Sequence, residues 1–146
     1  MAQLQMITGK TLPDPLQGGH FHVDPEGPAL MGNRCAPCDR VFFPRRDWCA
    51  CCSSPILDEV TLSRTGKIGA FSLIDRQPAD AWVSAPYVQA EIELPEGVSV
   101  FTVLHPADTA ALSIGQTARL ELRALPTPDG TRAVYVFAPV ADEVAA

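Results

Sequence analysis

Two features of the sequence point to a mainly β chain made of two small parts. All five cysteines fall between residues 35 and 52, four of them as two C-x2-C pairs. From about residue 56 onward, short stretches of alternating apolar and polar residues are punctuated by Pro and Gly. Composition agrees. Fourteen prolines and ten glycines cut the 146 residues into short pieces, and charged residues make up only 19 %, low for helical surfaces. The predicted architecture is an N-terminal rubredoxin-like zinc ribbon followed by a small OB-fold β-barrel. Residues 1–28 are read as an arm, 29–56 as the ribbon and 57–141 as the barrel.

In chain order, residues 1–18 are polar, proline-bearing and unpatterned, either loosely ordered or packed on a partner or on the protein's own second part. His20–Val23 alternates and begins a strand. Ala29–Cys35 runs as a strand into the first cysteine pair. Strands are then expected at Ile56–Arg64, Gly66–Ile74, Tyr87–Leu94, Val98–Leu104, Thr117–Leu125 and Arg132–Ala138. Thr65-Gly66 is read as a turn, Pro95-Glu96-Gly97 as a tight hairpin, and Pro126–Gly130 as a second hairpin. His105–Ile114 is read as one short helix, capped by Asp108 or Thr109 and ended by Gly115. Five or six strands with one late helix fit the small barrel, with a small sandwich as the rival. Closing the sheet removes edges that strands as apolar as AVYVF would otherwise expose.

Charge and hydropathy narrow the function. A net charge of −6 and a pI near 4.9 argue against a protein built to grip phosphate backbones. The longest apolar run, AVYVFAPVA, falls well short of the ~20 residues of a membrane-spanning helix. The N-terminus lacks a basic start followed by an apolar stretch, so the expected compartment is the cytoplasm. In a reducing compartment, clustered cysteines point to a metal or redox site rather than to disulfides.

Cys35-x2-Cys38 and Cys49-x2-Cys52 are two knuckles ten residues apart. Each C-x2-C turn brings two sulfurs to one side of a tight loop. Two such turns supply four thiolates at tetrahedral corners, about 2.3 Å from one zinc ion. A fully protein-filled shell leaves no position for water or substrate, so the metal is expected to be structural. Its binding energy would fold a unit too small to bury its own core. Iron and disulfides are the rival readings. Cys51 is the fifth thiol. The x2 spacing favours Cys52 as the ligand and leaves Cys51 either a bystander or a thiol activated by Arg45 or Arg46.

Around these knuckles the chain resembles a known family. The residues that carry the likeness are Phe43-Pro44-Arg45, the second knuckle ending in Ser53-Ser54, Gly66-Lys67-Ile68 opening the barrel, LPEGVSVF at 94–101, LSIGQTARLEL at 112–122 and VYVFAP at 134–139. Together they resemble the zinc-ribbon/OB-fold proteins long catalogued as a domain of unknown function and associated with acyl-CoA enzymes. The likeness covers about residues 29–140. Two departures stand out. Residues 1–28 hold no helix with a Phe-Trp pair, and the second knuckle has Ser53 where the family usually has Gly. The resemblance implies a small accessory subunit of thiolases, thiolase-like acyltransferases or steroid side-chain aldolases, one branch serving a benzoylsuccinyl-CoA thiolase. The condensing cysteine then lies on the large partner, while the small subunit shapes the entrance for the CoA ester.

The residues themselves offer little for catalysis. His20, His22 and His105 sit in no nucleophile motif, and two histidines are too few to argue a second metal site. Glu91 and Glu93 read as the wet face of a half-buried strand. There is no GxSxG, phosphate loop or dinucleotide fingerprint. The chain is therefore expected not to act as an enzyme alone. Arg45 and Arg46, beside Phe43 at the ribbon tip, suit the phosphates of coenzyme A or an acidic partner surface. The alternatives are a single-stranded nucleic-acid module, with Phe71, Trp82, Tyr87 and Phe101 stacking bases, and a rubredoxin-like electron carrier. The acidic balance and the scatter of basic residues weigh against nucleic acid.

Overall fold

A computed structural model describes residues 4–7, 13, 15, 20–106 and 108–140. These form nine strands and one 3-10 turn: β1 Phe21–Asp24, β2 Gly27–Cys35, β3 Val41–Phe42, β4 Leu57–Thr61, β5 Thr65–Ile74, β6 Tyr87–Glu93, β7 Ser99–Leu104, β8 Thr117–Thr127 and β9 Gly130–Pro139. In the first sheet β2 is the hub, pairing antiparallel with β1, β3 and β4. The second sheet closes on itself in the order β5-β6-β7-β9-β8. Thr65–Lys67 pairs with Thr117–Arg119 across one seam, and the single parallel pair Leu104–Phe137 joins β7 to β9. The mainly β class and the five-stranded OB-like barrel are as the sequence predicts.

Several details differ. The strand after the cysteines, expected in the barrel, is β4, and it lies on β2 instead, with Leu57–Thr61 opposite Cys35–Met31. The reason is its side chains: Asp58 and Glu59 put an acid on each face, so β4 has no continuous apolar face for a closed core, and only Val60 of this strand packs on the core. Its backbone instead satisfies the open edge of β2. Gly66 is not in a turn but inside β5. A Cβ there would sit 2.6 Å from the Glu93 carbonyl oxygen and 2.8 Å from Ile92 Cγ2, so the glycine permits the close approach of β6.

The β6–β7 hairpin turns at Pro95–Gly97 as expected, with Leu94 N–H donating to Val98 O at 2.9 Å and Gly97 at φ 86°. The β8–β9 hairpin is tighter than expected. Its ladder runs on to Thr127–Gly130, leaving Pro128 and Asp129 as the loop. The expected helix shrinks to one 3-10 turn, Thr109–Ala111, capped by Asp108, whose Oδ1 accepts from Ala110 N–H at 3.0 Å. It buries no side chain, so nothing holds a longer helix in place. Ala107, inside the expected helix, lies outside the described residues.

Of the arm, residues 1–3, 8–12, 14 and 16–19 lie outside the described set. Gln5 exchanges hydrogen bonds with Ala124 of β8 at 2.9 and 2.8 Å, and Pro15 bridges Ala133 of β9. β1 and the first two residues of β2 also fall within the stretch read as arm.

The core centres on the barrel. Ile68, Ile92, Val100, Leu104, Leu120 and Phe137 pack together, fully or almost fully buried. Leu30 of β2 and Leu62 belong to the same cluster. The first sheet is thus joined to the barrel through a common apolar core.

Candidate metal centre

The two cysteine knuckles are built alike. In the first, Asp39 N–H donates to Cys35 O at 2.8 Å, and Cys35 N–H donates to Arg40 O at 2.8 Å. In the second, Ser53 N–H donates to Cys49 O at 2.9 Å, and Cys49 N–H donates to Ser54 O at 2.9 Å. Each turn closes on a left-handed residue, Asp39 at φ 65° and Ser53 at φ 62°. Both knuckles therefore present their sulfurs in the same way. β2 delivers Cys35, and the stretch from Asn33 to Phe42 folds back as β3 to hold the first knuckle.

Cys35, Cys38, Cys49 and Cys52 bring their sulfurs within 4.8 Å of one another. Cys35 Sγ lies 3.4 Å from Cys52 Sγ, and Cys38 Sγ lies 3.5 Å from Cys49 Sγ. Four sulfurs at about 2.3 Å from a central ion would stand about 3.8 Å apart, so the spacings suit one tetrahedral metal. They are far longer than the roughly 2.05 Å of a disulfide. Cys51 is exposed and outside the group, which leaves the x2 register of the second knuckle in place. Among the described residues this is the one group of three or more metal-ligating side chains.

The local electrostatics differ from thiol to thiol. Burial pushes the Cys35 thiol up to about 12, and the neighbouring thiols of Cys52, Cys38 and Cys49 add to this. Burial also acts to raise Cys49. There the amide N–H groups of Cys52 and Cys51, at 3.4 and 3.3 Å from its sulfur, outweigh it together with the Cys38 and Cys52 thiols, bringing Cys49 down to about 6. Amides aimed at a sulfur stabilise a thiolate. The arrangement can hold a thiophilic cation and offers it four protein ligands.

The other predicted site residues are spread around this cluster. Arg45 forms an ion pair with Glu59 of β4. The Arg46 guanidinium lies 5.3 Å from the centroid of the Phe42 ring. Phe43 turns inward, edge-on to His20 at 5.8 Å and to Tyr135 at 6.1 Å, and packs on the barrel core. His22 approaches Asp24 at 3.4 Å. His105 follows β7, its N–H donating to Phe137 O at 2.8 Å; burial, then the nearby Arg123 charge, lowers its pKa. Glu91 and Glu93 alternate with buried Ala90 and Ile92, as a strand with one wet face requires. Sequence reasoning missed Asn33. This buried side chain donates from Nδ2 to Arg46 O at 2.7 Å, tying β2 to the segment between the knuckles. An asparagine inside an apolar run was the available signal, because such a residue needs a polar partner.

A closed OB-like barrel preceded by two C-x2-C knuckles defines a ribbon-and-barrel protein. The family model for the C-terminal OB-fold domain of ChsH2 matches residues 59–123. A DUF35 domain-containing scaffold protein of Methanothermobacter thermautotrophicus is 34 % identical over 95 residues, 64 % of this chain and 71 % of that protein. Another, from Methanocaldococcus jannaschii, is 40 % identical over 72 residues, 49 % of this chain and 51 % of that one. The benzoylsuccinyl-CoA thiolase subunit BbsA of Thauera aromatica is 36 % identical over 85 residues, 58 % of each chain. The solved Ltp2-ChsH2(DUF35) aldolase superposes with a TM-score of 0.62 at 30 % identity, covering 76 % of this chain and 84 % of that one. The chain belongs to the DUF35 family. It spans about half the length of the Methanocaldococcus relative and somewhat more of the Thauera one.

Proposed function

We propose that this chain is a non-catalytic accessory subunit of a thiolase-like acyl-CoA enzyme complex in the cytoplasm, carrying one structural zinc ion per chain. The observation that carries the reading is the set of four sulfurs on matched knuckles. Such a set supplies a complete tetrahedral shell and leaves no position for a reacting ligand, which suits architecture rather than turnover. Support for the partner comes from the relatives. One is named a thiolase subunit, others are named scaffold proteins, and the solved neighbour is an aldolase that pairs Ltp2 with ChsH2. In this reading the zinc fixes the knuckle segment, residues 36–55, as a stiff finger, and the barrel, β5 to β9, forms the body that meets the large subunit.

Arg45, Arg46 and Phe43 are assigned to the CoA ester or the partner surface, in two different ways. The two guanidinium groups, Arg45 beside Glu59 and Arg46 over the Phe42 ring, provide charge in the segment between the knuckles. Phe43 acts indirectly, by seating the finger against Tyr135. The test is native co-purification with metal counting. One zinc per chain and a co-eluting thiolase-like chain are expected, with CoA-ester binding to the complex weakened by Arg45→Ala or Arg46→Ala. A metal-free or red iron-bearing protein, or a lone monomer that binds single-stranded DNA tightly at physiological salt, would overturn the reading.

A further inference from the structure

The barrel carries a second candidate site, unrelated to the metal. A pocket of about 150 Å³ opens between β1, β6, β7, β9 and the segment before β6. Five rings surround it: Phe21, Trp82, Tyr87, Phe101 and Tyr135. No Asp, Glu, Lys, Arg or His lines it, and the lining side chains that carry polar groups, besides the Trp82 indole, are Gln89, Thr102, Tyr87 and Tyr135. Its floor is sealed, with Ala133, Val134 and Val103 all buried.

The rings are held before any ligand arrives. Tyr135 stands edge-on to Phe21 at 6.3 Å and 71°, and to Phe43 at 6.1 Å and 80°. Trp82 and Tyr87 pack on Val83, Val103 and Val136, a small cluster separate from the main core. Phe101 is the exception. It is 68 % exposed at the rim, a large ring left in water.

A cavity of about 150 Å³ takes one benzene-sized ring, and aromatic walls favour stacked or edge-on partners. Charge selects further. Glu91 lies directly across from Phe101 on the same outer face of the sheet. This carboxylate beside the rim residue and a net charge of −6 repel phosphates and carboxylates.

We infer that this pocket binds a free, uncharged, single-ring aromatic compound of about the size of a cresol. The ring enters under Phe101 and lies against Trp82 and Tyr87. The site stands independently of the accessory-subunit reading, since it needs neither metal nor partner.

The test uses the full chain carrying Trp48→Phe, which leaves Trp82 as the single indole, because the chain has two tryptophans. Titrated with p-cresol, Trp82 emission should change saturably, with half-saturation on the order of 0.1 mM. Phe101→Ala, at an exposed position, should leave the melting temperature in place and weaken binding about five- to tenfold. Benzoate, of similar size but charged, should bind at least about tenfold more weakly. The inference is overturned by no saturable response, by equal half-saturation in Phe101→Ala, or by benzoate matching p-cresol. N-acetylphenylalanine amide binding more tightly than p-cresol would assign the pocket to a partner's side chain and overturn it as well.

Discussion

Arg64 grips Asp24 through both carboxylate oxygens, its Nη2 lying 2.8 Å from Oδ1 and 2.7 Å from Oδ2. Arg64 stands on the segment that leads into β5, and Asp24 ends β1, so the pair fastens the edge of the first sheet to the entry of the barrel. Glu26 lies 3.4 Å from the other guanidinium nitrogen. Burial acts to raise the pKa of Asp24. The Glu26 amide at 2.9 Å, the Arg64 guanidinium and the His22 ring outweigh it and hold the carboxyl below its ordinary 3.8.

Asp24→Asn should therefore lower the melting temperature at pH 7. The sign with pH follows from the depressed value. A carboxyl more acidic in the folded state stabilises the fold above its unfolded pKa, and that stabilisation is lost as pH falls through the folded value. The gap between wild type and Asp24→Asn should thus persist down to about pH 4 and close below the ordinary value of 3.8. Melting curves across pH 2–8 check this, and a gap that stays constant to the acid end would show the pair contributes nothing.

Gly66→Ala should destabilise the chain by about 1–3 kcal/mol, the usual cost of forcing an atom into a packed site. The added methyl would meet the Glu93 carbonyl at 2.6 Å, and that backbone sits in the β5–β6 ladder and cannot swing aside. Gly69→Ala is the contrast. Its nearest atom is the Glu93 carboxylate at 2.7 Å, the far end of a side chain that can rotate away. Urea midpoints of the two variants should separate clearly, Gly66→Ala being the weaker protein.

Gly66 also shows why part of the fold was hidden in the sequence. Thr-Gly reads locally as a turn, and the actual reason for glycine is a strand some thirty positions downstream. β4 misled in the same way, because which strand pairs with which is a non-local outcome. Periodicity was enough for β6, where Ala90 and Ile92 face inward between Glu91 and Glu93. The four-cysteine cluster was the most legible feature, since C-x2-C encodes its geometry within four residues. The aromatic pocket was legible only as a set of scattered rings. Phe71 packs on the main core, while Trp82, Tyr87 and Phe101 gather at one opening with Phe21 and Tyr135.

Ser53→Gly should stabilise the second knuckle. Ser53 sits at φ 62°, where a side chain other than Gly, Asn or Asp costs roughly 1–2 kcal/mol. Glycine removes that strain but gains freedom in the unfolded chain, so a net gain of about 0.5–1 kcal/mol is expected. Asp39, the matching residue of the first knuckle, is a type that tolerates this conformation and also meets Arg34 at 3.3 Å. Asp39→Gly should give no such gain. The comparison is made by melting the metal-loaded protein, and a lower midpoint for Ser53→Gly would show that its hydroxyl matters more than its backbone.

Removing the metal, by chelation or by Cys49→Ser, should loosen one region and spare the rest. Between residues 36 and 55, Cys49 is the single buried side chain. Val41 and Phe43 pack on the core and Asn33 holds Arg46 O, but this is too little to order twenty residues, and the four-sulfur cluster supplies the rest. The first sheet is differently placed. A fold with separate cores would release the whole N-terminal part together, but Leu30 and Leu62 pack with Ile68, Ile92 and Phe137, so β2 stays anchored when the knuckles open. Amide hydrogen exchange resolves the two regions. Without metal, protection should vanish across 36–55 and persist along β5 to β9 and at Leu30. Unchanged protection in the knuckles would mean that the sulfurs hold nothing essential. Loss throughout the barrel would mean that the common core cannot stand without them.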